Sequence, residues 1–226
     1  MSPLDRPPPA LALPALPSSE LSQLLPRVRD QLRARMRATR RALVPSAVAA
    51  RSARIVDVLL QLPALQQARA VGLFWPRASH REVDLRALDH ELRERGVALF
   101  YPFMDPKGAG SYTTGFRHVE RVEHLQERGR GFAEPALDAR IAVAGELDVV
   151  IVPALAASPN GHRLGFGSGF YDVTLPDVRP PALAVIVLFS FQLLAEFPTL
   201  EHDVACDLVV TDHELYDCRV EPRLEP

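Results

Sequence analysis

Hydrophobic positions along this chain change their spacing several times, and the changes mark out its elements. From about Pro26 to Leu43, the segment RVRDQLRARMRATRRAL places Val28, Leu32, Met36 and Leu43 near one stripe, with arginines over most of the rest. That spacing predicts an amphipathic helix, and Pro26 suits its first turn. Val44-Pro45-Ser46 stops this helix and caps a second, in which Val48, Ile55, Val58, Leu59 and Leu62 share a face up to Pro63.

The period then shortens. Residues 69–75 (RAVGLFW) predict a buried strand, residues 82–95 a helix closed by Gly96, and residues 97–101 a second strand ended by Pro102. Such a strand-helix-strand unit builds parallel sheets. A short strand is expected near residues 111–117, followed by a charged stretch at 118–130 and a turn at GRGFAEP. Residues 148–152 (DVVIV) form a continuous apolar run of the kind covered on both faces. A helix is expected from Tyr171 onward, a buried strand at 183–188 and a last short one at 207–210. The alternation predicts one open, mostly parallel α/β sheet over residues 21–226, whose ligands are expected beyond the carboxyl ends of its strands. Trp75, Pro102 and the loop after Val152 all fall at such ends.

That last loop carries the chemistry. Four of the chain's twelve glycines, Gly161, Gly165, Gly167 and Gly169, lie within nine residues. Bare backbone lets N–H groups approach an anion closely, and a neighbouring arginine can fork onto phosphate oxygens. Arg163 stands on one side and Tyr171-Asp172 on the other: a cation, a ring and a carboxylate, which suit a magnesium nucleotide. The glycines are spaced G-x-G-x-G, matching neither the dinucleotide fingerprint nor the P-loop, so a tight connection with no ligand is the rival reading. Ser168 lacks the G-x-S-x-G setting of a hydrolase nucleophile. His202, Cys206, His213 and Cys218 fit no zinc spacing.

Charge sharpens this picture. The net charge is −2, yet residues 21–54 hold nine arginines against Asp30 alone, so this segment carries +8 and the remainder −10. Either this is a solvated helix face, or arginines such as Arg29 and Arg33, on successive turns, face phosphates held by the glycine loop. Nucleic acid is disfavoured, because no aromatics interleave with the arginines. Lys107 is the only lysine beside twenty-five arginines, a chain-wide bias. Two cysteines without a framework point to a reduced, cytoplasmic setting. Six prolines in the first twenty residues argue against a signal peptide or membrane helix and for a disordered tail over residues 1–20.

Arg163-Leu164-Gly165-Phe166-Gly167-Ser168-Gly169-Phe170-Tyr171-Asp172, read after DVVIVPAL, resembles the R-L-G-[RY]-G-x-G-Y-Y-D loop of the 5-formyltetrahydrofolate cyclo-ligase family. From about residue 27, weaker echoes follow in order. Arg29 to Arg33 stand for K-x-x-L-R, GLFW with Glu82 to Leu85 for the strand and E-[VI]-x-T, Glu134-Pro135 for E-P, and Asp203 to Thr211 for D-x-x-x-D-x-[VI]-[VI]-T. The resemblance implies a three-layer αβα sandwich like the ribose-phosphate isomerase and CoA transferase folds. It also implies ATP- and Mg²⁺-dependent conversion of 5-formyltetrahydrofolate to 5,10-methenyltetrahydrofolate, by a monomer acting on small molecules. It puts Arg29, Arg33, Arg163 and the loop from Leu164 to Tyr171 around ATP, with Arg163 and Tyr171 in catalytic roles. Asp172 and Asp203 fall at the metal positions, and Trp75, Glu82, Phe166 and Phe170 at the folate. Arg29 stands for the family lysine and Phe170 for the first tyrosine of Y-Y-D. Ala154 replaces the glycine of P-G-[LV], and Ala157-Ser158 replaces Phe-Asp, a change expected at the loop entrance. That change keeps open a paralogue that binds folate or nucleotide without this activity.

Overall fold

The leading helix is longer than its hydrophobic stripe. In the computed structural model, which describes residues 18–108, 110–128 and 131–219, α1 runs Ser18–Arg41 with Pro26 inside it. There the proline forgoes one i→i−4 bond instead of opening the helix. The disordered tail expected over 1–20 lies outside the described residues up to 17, and residues 18–20 are helical. The buried face of α1 also differs from the expected apolar stripe: from residue 24 onward, Arg29, Met36 and Arg40 are its buried residues. Helix α2 (Pro45–Gln61) starts on Pro45 with no side-chain cap, and α3 (Pro63–Gln67) follows directly.

Strand β1 (Ala70–Gly72) leads through a turn into α4 (Arg86–Glu94), then β2 (Ala98–Gly108) and β3 (Ser111–His118). The helix expected over 82–95 is shorter because Glu82 is spent on the preceding turn, while Asp84 accepts the Arg86 N–H at 3.1 Å. The strand expected to end at Pro102 continues to Gly108. Beyond Phe100 it pairs with β3 alone, so prolines at 102 and 106 withhold no N–H from a neighbour on the β1 side. A small ladder, β4 (Gln126–Glu127) with β5 (Ala133–Glu134), follows.

The second half supplies β6 (Val149–Pro153), the hairpin of β7 (Ala156–Ala157) and β8 (Arg163–Leu164), α5 (Phe170–Val178), β9 (Leu183–Val187), β10 (Leu208–Val210) and β11 (Leu215–Asp217). One sheet takes the order β11-β10-β9-β6-β1-β2-β3. Its five inner strands are parallel, with antiparallel β11 and β3 at the edges. Alternate residues of each inner strand enter two separate cores, as period-two side chains must. Val71, Leu99, Ile151, Val185 and Val210 join α2, α3 and α4, whereas Ala70, Phe100, Val150, Ile186 and Val209 face the side closed by α5. This is the expected αβα layering. Because β1 sends the chain to β2 on one side and β6 lies on its other side, the strand order reverses there. A crevice opens at such a point beyond the carboxyl ends.

A third, smaller core joins Met36 and Leu32 of α1 to Leu155, Ala156 and Leu164 of the β7–β8 hairpin. It seats the arginine-rich helix against the root of the glycine loop.

Candidate active site

At this crevice lies a cavity of about 290 Å³. Phe74 and Trp75 after β1, Pro102 and Met104 of β2, Phe132 and Pro153 form its apolar wall; Arg77, Glu82, Arg163 and the loop residues Gly165, Phe166 and Ser168 to Asp172 form the other, and Gly167 lies outside the lining. Trp75 is steadied by an edge-on contact with buried Tyr101, ring centroids 6.4 Å apart. The Tyr101 hydroxyl in turn donates to Asp89 of α4.

Between β8 and α5 the chain has no regular structure, and Gly167 (φ +113°) and Gly169 (φ +69°) take conformations that disfavour side chains. Among the described residues, no backbone N–H from Gly165 to Gly169 donates to a protein acceptor. The carbonyls of the same segment are held from behind: Arg33 Nε donates to Gly165 O at 3.1 Å and Arg37 Nη2 to Phe166 O at 2.9 Å. With carbonyls drawn toward α1 and N–H groups left over, the loop has the geometry to cradle an anion.

Several expected site residues take other places. Arg33 touches the loop's carbonyl, and Arg29 is buried in a bidentate pair with Asp203 (Nη2–Oδ1 3.0 Å) while also donating to Pro198 O at 3.1 Å. Neither arginine nor Asp203 lines the cavity, and Leu164 belongs to the small core. Gly161 stands apart from the cradle, because a Cβ there would meet the Cys206 carbonyl oxygen at 2.2 Å. Ala157 and Ser158 are buried in the hairpin and are not at the entrance. Trp75, Glu82, Arg163, Gly165, Phe166, Ser168, Gly169, Phe170, Tyr171 and Asp172 do meet around one space. Sequence reasoning missed Arg37, Arg40 and Arg77. For the first two the signal was the i, i+4, i+7 spacing of Arg33, Arg37 and Arg40, visible only once that face is known to be buried, and for Arg77 the sequence held none.

The electrostatics are those of a loop braced by ion pairs. Arg163 gives Nη2 to Asp172 Oδ1 at 2.6 Å and Nη1 to the Val204 carbonyl. The Tyr171 hydroxyl is buried without a protein partner, and burial, against the nearby Arg163 charge, raises its pKa so that it stays protonated. Burial lowers Arg40 to about 10, despite Glu82 beside it, so it remains a cation at neutral pH.

The model of the 5-formyltetrahydrofolate cyclo-ligase family matches residues 26–212, most of the chain. This chain belongs to that family. It is 28% identical over 188 residues to the 5-formyltetrahydrofolate cyclo-ligase of Escherichia coli (strain K12), covering 80% of this chain and 99% of that protein. The mitochondrial 5-formyltetrahydrofolate cyclo-ligase of Arabidopsis thaliana is 26% identical over 234 residues, covering 93% and 83%. The NMR structure of Aquifex aeolicus 5,10-methenyltetrahydrofolate synthetase superposes with a TM-score of 0.73 at 27% identity, covering 88% of this chain and 97% of the other.

For a family loop of this kind the donor set can be tested against Mg²⁺. Asp172 lines the cavity, and among the described residues its Oδ2 receives no protein donor, so it fits as the single carboxylate of a hydrated magnesium. Asp203 does not fit, because Arg29 and the Leu200 N–H take both its oxygens. No cluster of three or more His, Cys, Asp or Glu suited to a metal occurs among the described residues.

Proposed function

We propose that this chain converts 5-formyltetrahydrofolate to 5,10-methenyltetrahydrofolate, consuming ATP and releasing ADP and phosphate. The observation that carries this reading is the run of unclaimed N–H groups from Gly165 to Gly169, set across about 290 Å³ from an apolar wall containing Trp75 and Phe132. One half suits phosphates and the other a flat heterocycle.

A formamide oxygen is a poor leaving group, and phosphorylation makes it a good one. The formyl oxygen attacks the γ-phosphorus, the bond to the β,γ-bridging oxygen breaks and ADP departs. N10 then bonds to the formyl carbon and gives up its proton to the phosphate, which leaves with the former formyl oxygen. Catalysis is positioning and charge neutralisation. The cradle's N–H groups hold the phosphates, with Arg163 beside them. The Tyr171 hydroxyl, protonated and without a protein partner, donates to the reacting oxygens. Trp75, Phe166 and Phe170 stack on the folate, and Glu82 accepts from its amino-pyrimidine edge. Asp172 would hold Mg²⁺, which neutralises charge on the transferred phosphoryl group when bound. Arg33 and Arg37 hold the loop's carbonyls from outside the cavity, while Arg29 is spent on Asp203 and Pro198.

The protein acts as a cytoplasmic monomer on small molecules, without nucleic acid. The basic segment supports the last of these, since Arg29, Arg33, Arg37, Arg40 and Arg51 are engaged with protein groups and do not form a free phosphate-binding stripe. The test is spectrophotometric: with ATP, Mg²⁺ and 5-formyltetrahydrofolate, the near-ultraviolet absorbance of the methenyl product should rise. No rise with all three in excess rejects the proposal.

A further inference from the structure

The two halves of the cavity meet at one side chain that neither the family loop nor the hydrophobic pattern singles out. Arg77 lies in the turn after β1. Its backbone N–H donates to Glu82 Oε2 at 2.8 Å, and Nε donates to Oε1 at 3.0 Å with Nη2 on the same oxygen. Its Nη1 reaches the Gly131 carbonyl at 2.8 Å, beside Phe132 of the apolar wall. The guanidinium carbon also sits 4.6 Å from the ring centroid of Phe166.

Arg40 of α1 approaches the same ring at 5.3 Å and the same Glu82 carboxylate at 3.8 Å. One carboxylate therefore balances two guanidiniums that both rest on Phe166, whose carbonyl Arg37 holds. Glu82 is the proposed folate acceptor, and Phe166, whose ring is offered to the folate, is carried by the phosphate loop, so Arg77 is hydrogen-bonded to the first and packed against the second.

Building on the proposed function, we infer that Arg77 is a positioning residue that couples the two subsites, so that folate and nucleotide each strengthen the binding of the other. The sign follows from charge. A heterocycle that donates hydrogen bonds to Glu82 draws on the carboxylate that neutralises Arg77. The freed positive charge lies against the phosphate loop, where it attracts the nucleotide. Binding free energies are reciprocal, so nucleotide favours folate by the same factor.

Calorimetry with a non-hydrolysable ATP analogue and Mg²⁺, with and without saturating 5-formyltetrahydrofolate, reads this directly. The intact protein should bind the analogue at least about fivefold more tightly when folate is present. Arg77→Gln keeps a planar donor for Glu82 but has no charge to free, so this ratio should fall to about one. A residue that merely supports the fold would weaken both measurements and leave their ratio alone. Arg77→Met, which keeps the aliphatic stem but has neither charge nor donor, should lose the ratio as well, and it decides the matter if Arg77→Gln fails to fold. A wild-type ratio in either folded variant overturns the inference. So does intact protein that binds both ligands without coupling, which leaves the functional proposal standing. Intact protein that binds neither ligand overturns both.

Discussion

Arg163 and Asp172 are joined by a 2.6 Å hydrogen bond from Nη2 to Oδ1 that spans the glycine-rich loop and ties its two ends together. The cation and carboxylate proposed to meet a magnesium nucleotide thus also brace each other. Arg163→Ala should lower kcat/KM for ATP by about 10²–10³, the range for removing a positioned donor to a reacting oxyanion. Because Asp172 is partly exposed, the accompanying loss of stability should stay near 2 kcal/mol. Steady-state kinetics beside thermal melts separate the two effects.

Tyr171→Phe should move stability and activity in opposite directions. Its buried hydroxyl has no protein partner, so removing it relieves a desolvation cost of about 1 kcal/mol and raises Tm slightly. If that hydroxyl donates to the reacting oxygens, kcat should fall about tenfold or more. Unchanged turnover would remove Tyr171 from the mechanism.

Asp203 makes a pH prediction. Burial alone would raise its pKa, but the Arg29 hydrogen bonds and the Leu200 N–H outweigh burial and leave it below 3.8. A depressed carboxylate pKa contributes stability that is fully present above the unfolded value and is lost as pH falls through the folded one. Asp203→Asn should therefore cost about 3 kcal/mol near neutral pH, since it leaves Arg29 buried and unpaired. Denaturant titrations should show that gap narrowing only below about pH 4.

Two glycines of one loop should respond differently. Gly167 sits at φ +113°, which an alanine adopts only with strain, whereas Gly165 has an ordinary φ and open space around its Cα. Gly167→Ala should distort the cradle, at a cost of about 1–3 kcal/mol, and raise the KM for ATP more than that for folate. Gly165→Ala should leave both close to wild type.

Ala157→Phe, which restores the residue usual in the family, should not raise activity. Ala157 is wholly buried in the hairpin behind Arg163, so the larger ring overpacks that site and lowers stability by about 1–3 kcal/mol in a urea melt. A large gain in turnover would show that the hairpin repacks to present this position to the cavity.

Much of the fold was legible because buried parallel strands are written as apolar runs. Residues 148–152 and 183–188 needed no tertiary information to be recognised, and β1 and β2 were displaced only at their ends. The glycine loop announced itself for a similar reason: positive φ and close backbone approach demand glycine locally. The end of β2 was misjudged because a proline breaks a strand only where a neighbour requires its N–H, and that depends on which strands lie alongside.

The sequence by itself determined the layered sheet, the place of the loop after β6 and the family to which the loop belongs, since each rests on local periodicity or on a contiguous motif. Only the tertiary structure decided what the arginines do. A cation in a helix reads the same whether it faces water, a phosphate or a carbonyl, and its role is set by the partner that folding brings to it across the chain. Arg29 finds Asp203, Arg33 and Arg37 find the loop's carbonyls, and Arg40 and Arg77 close on Phe166 and Glu82.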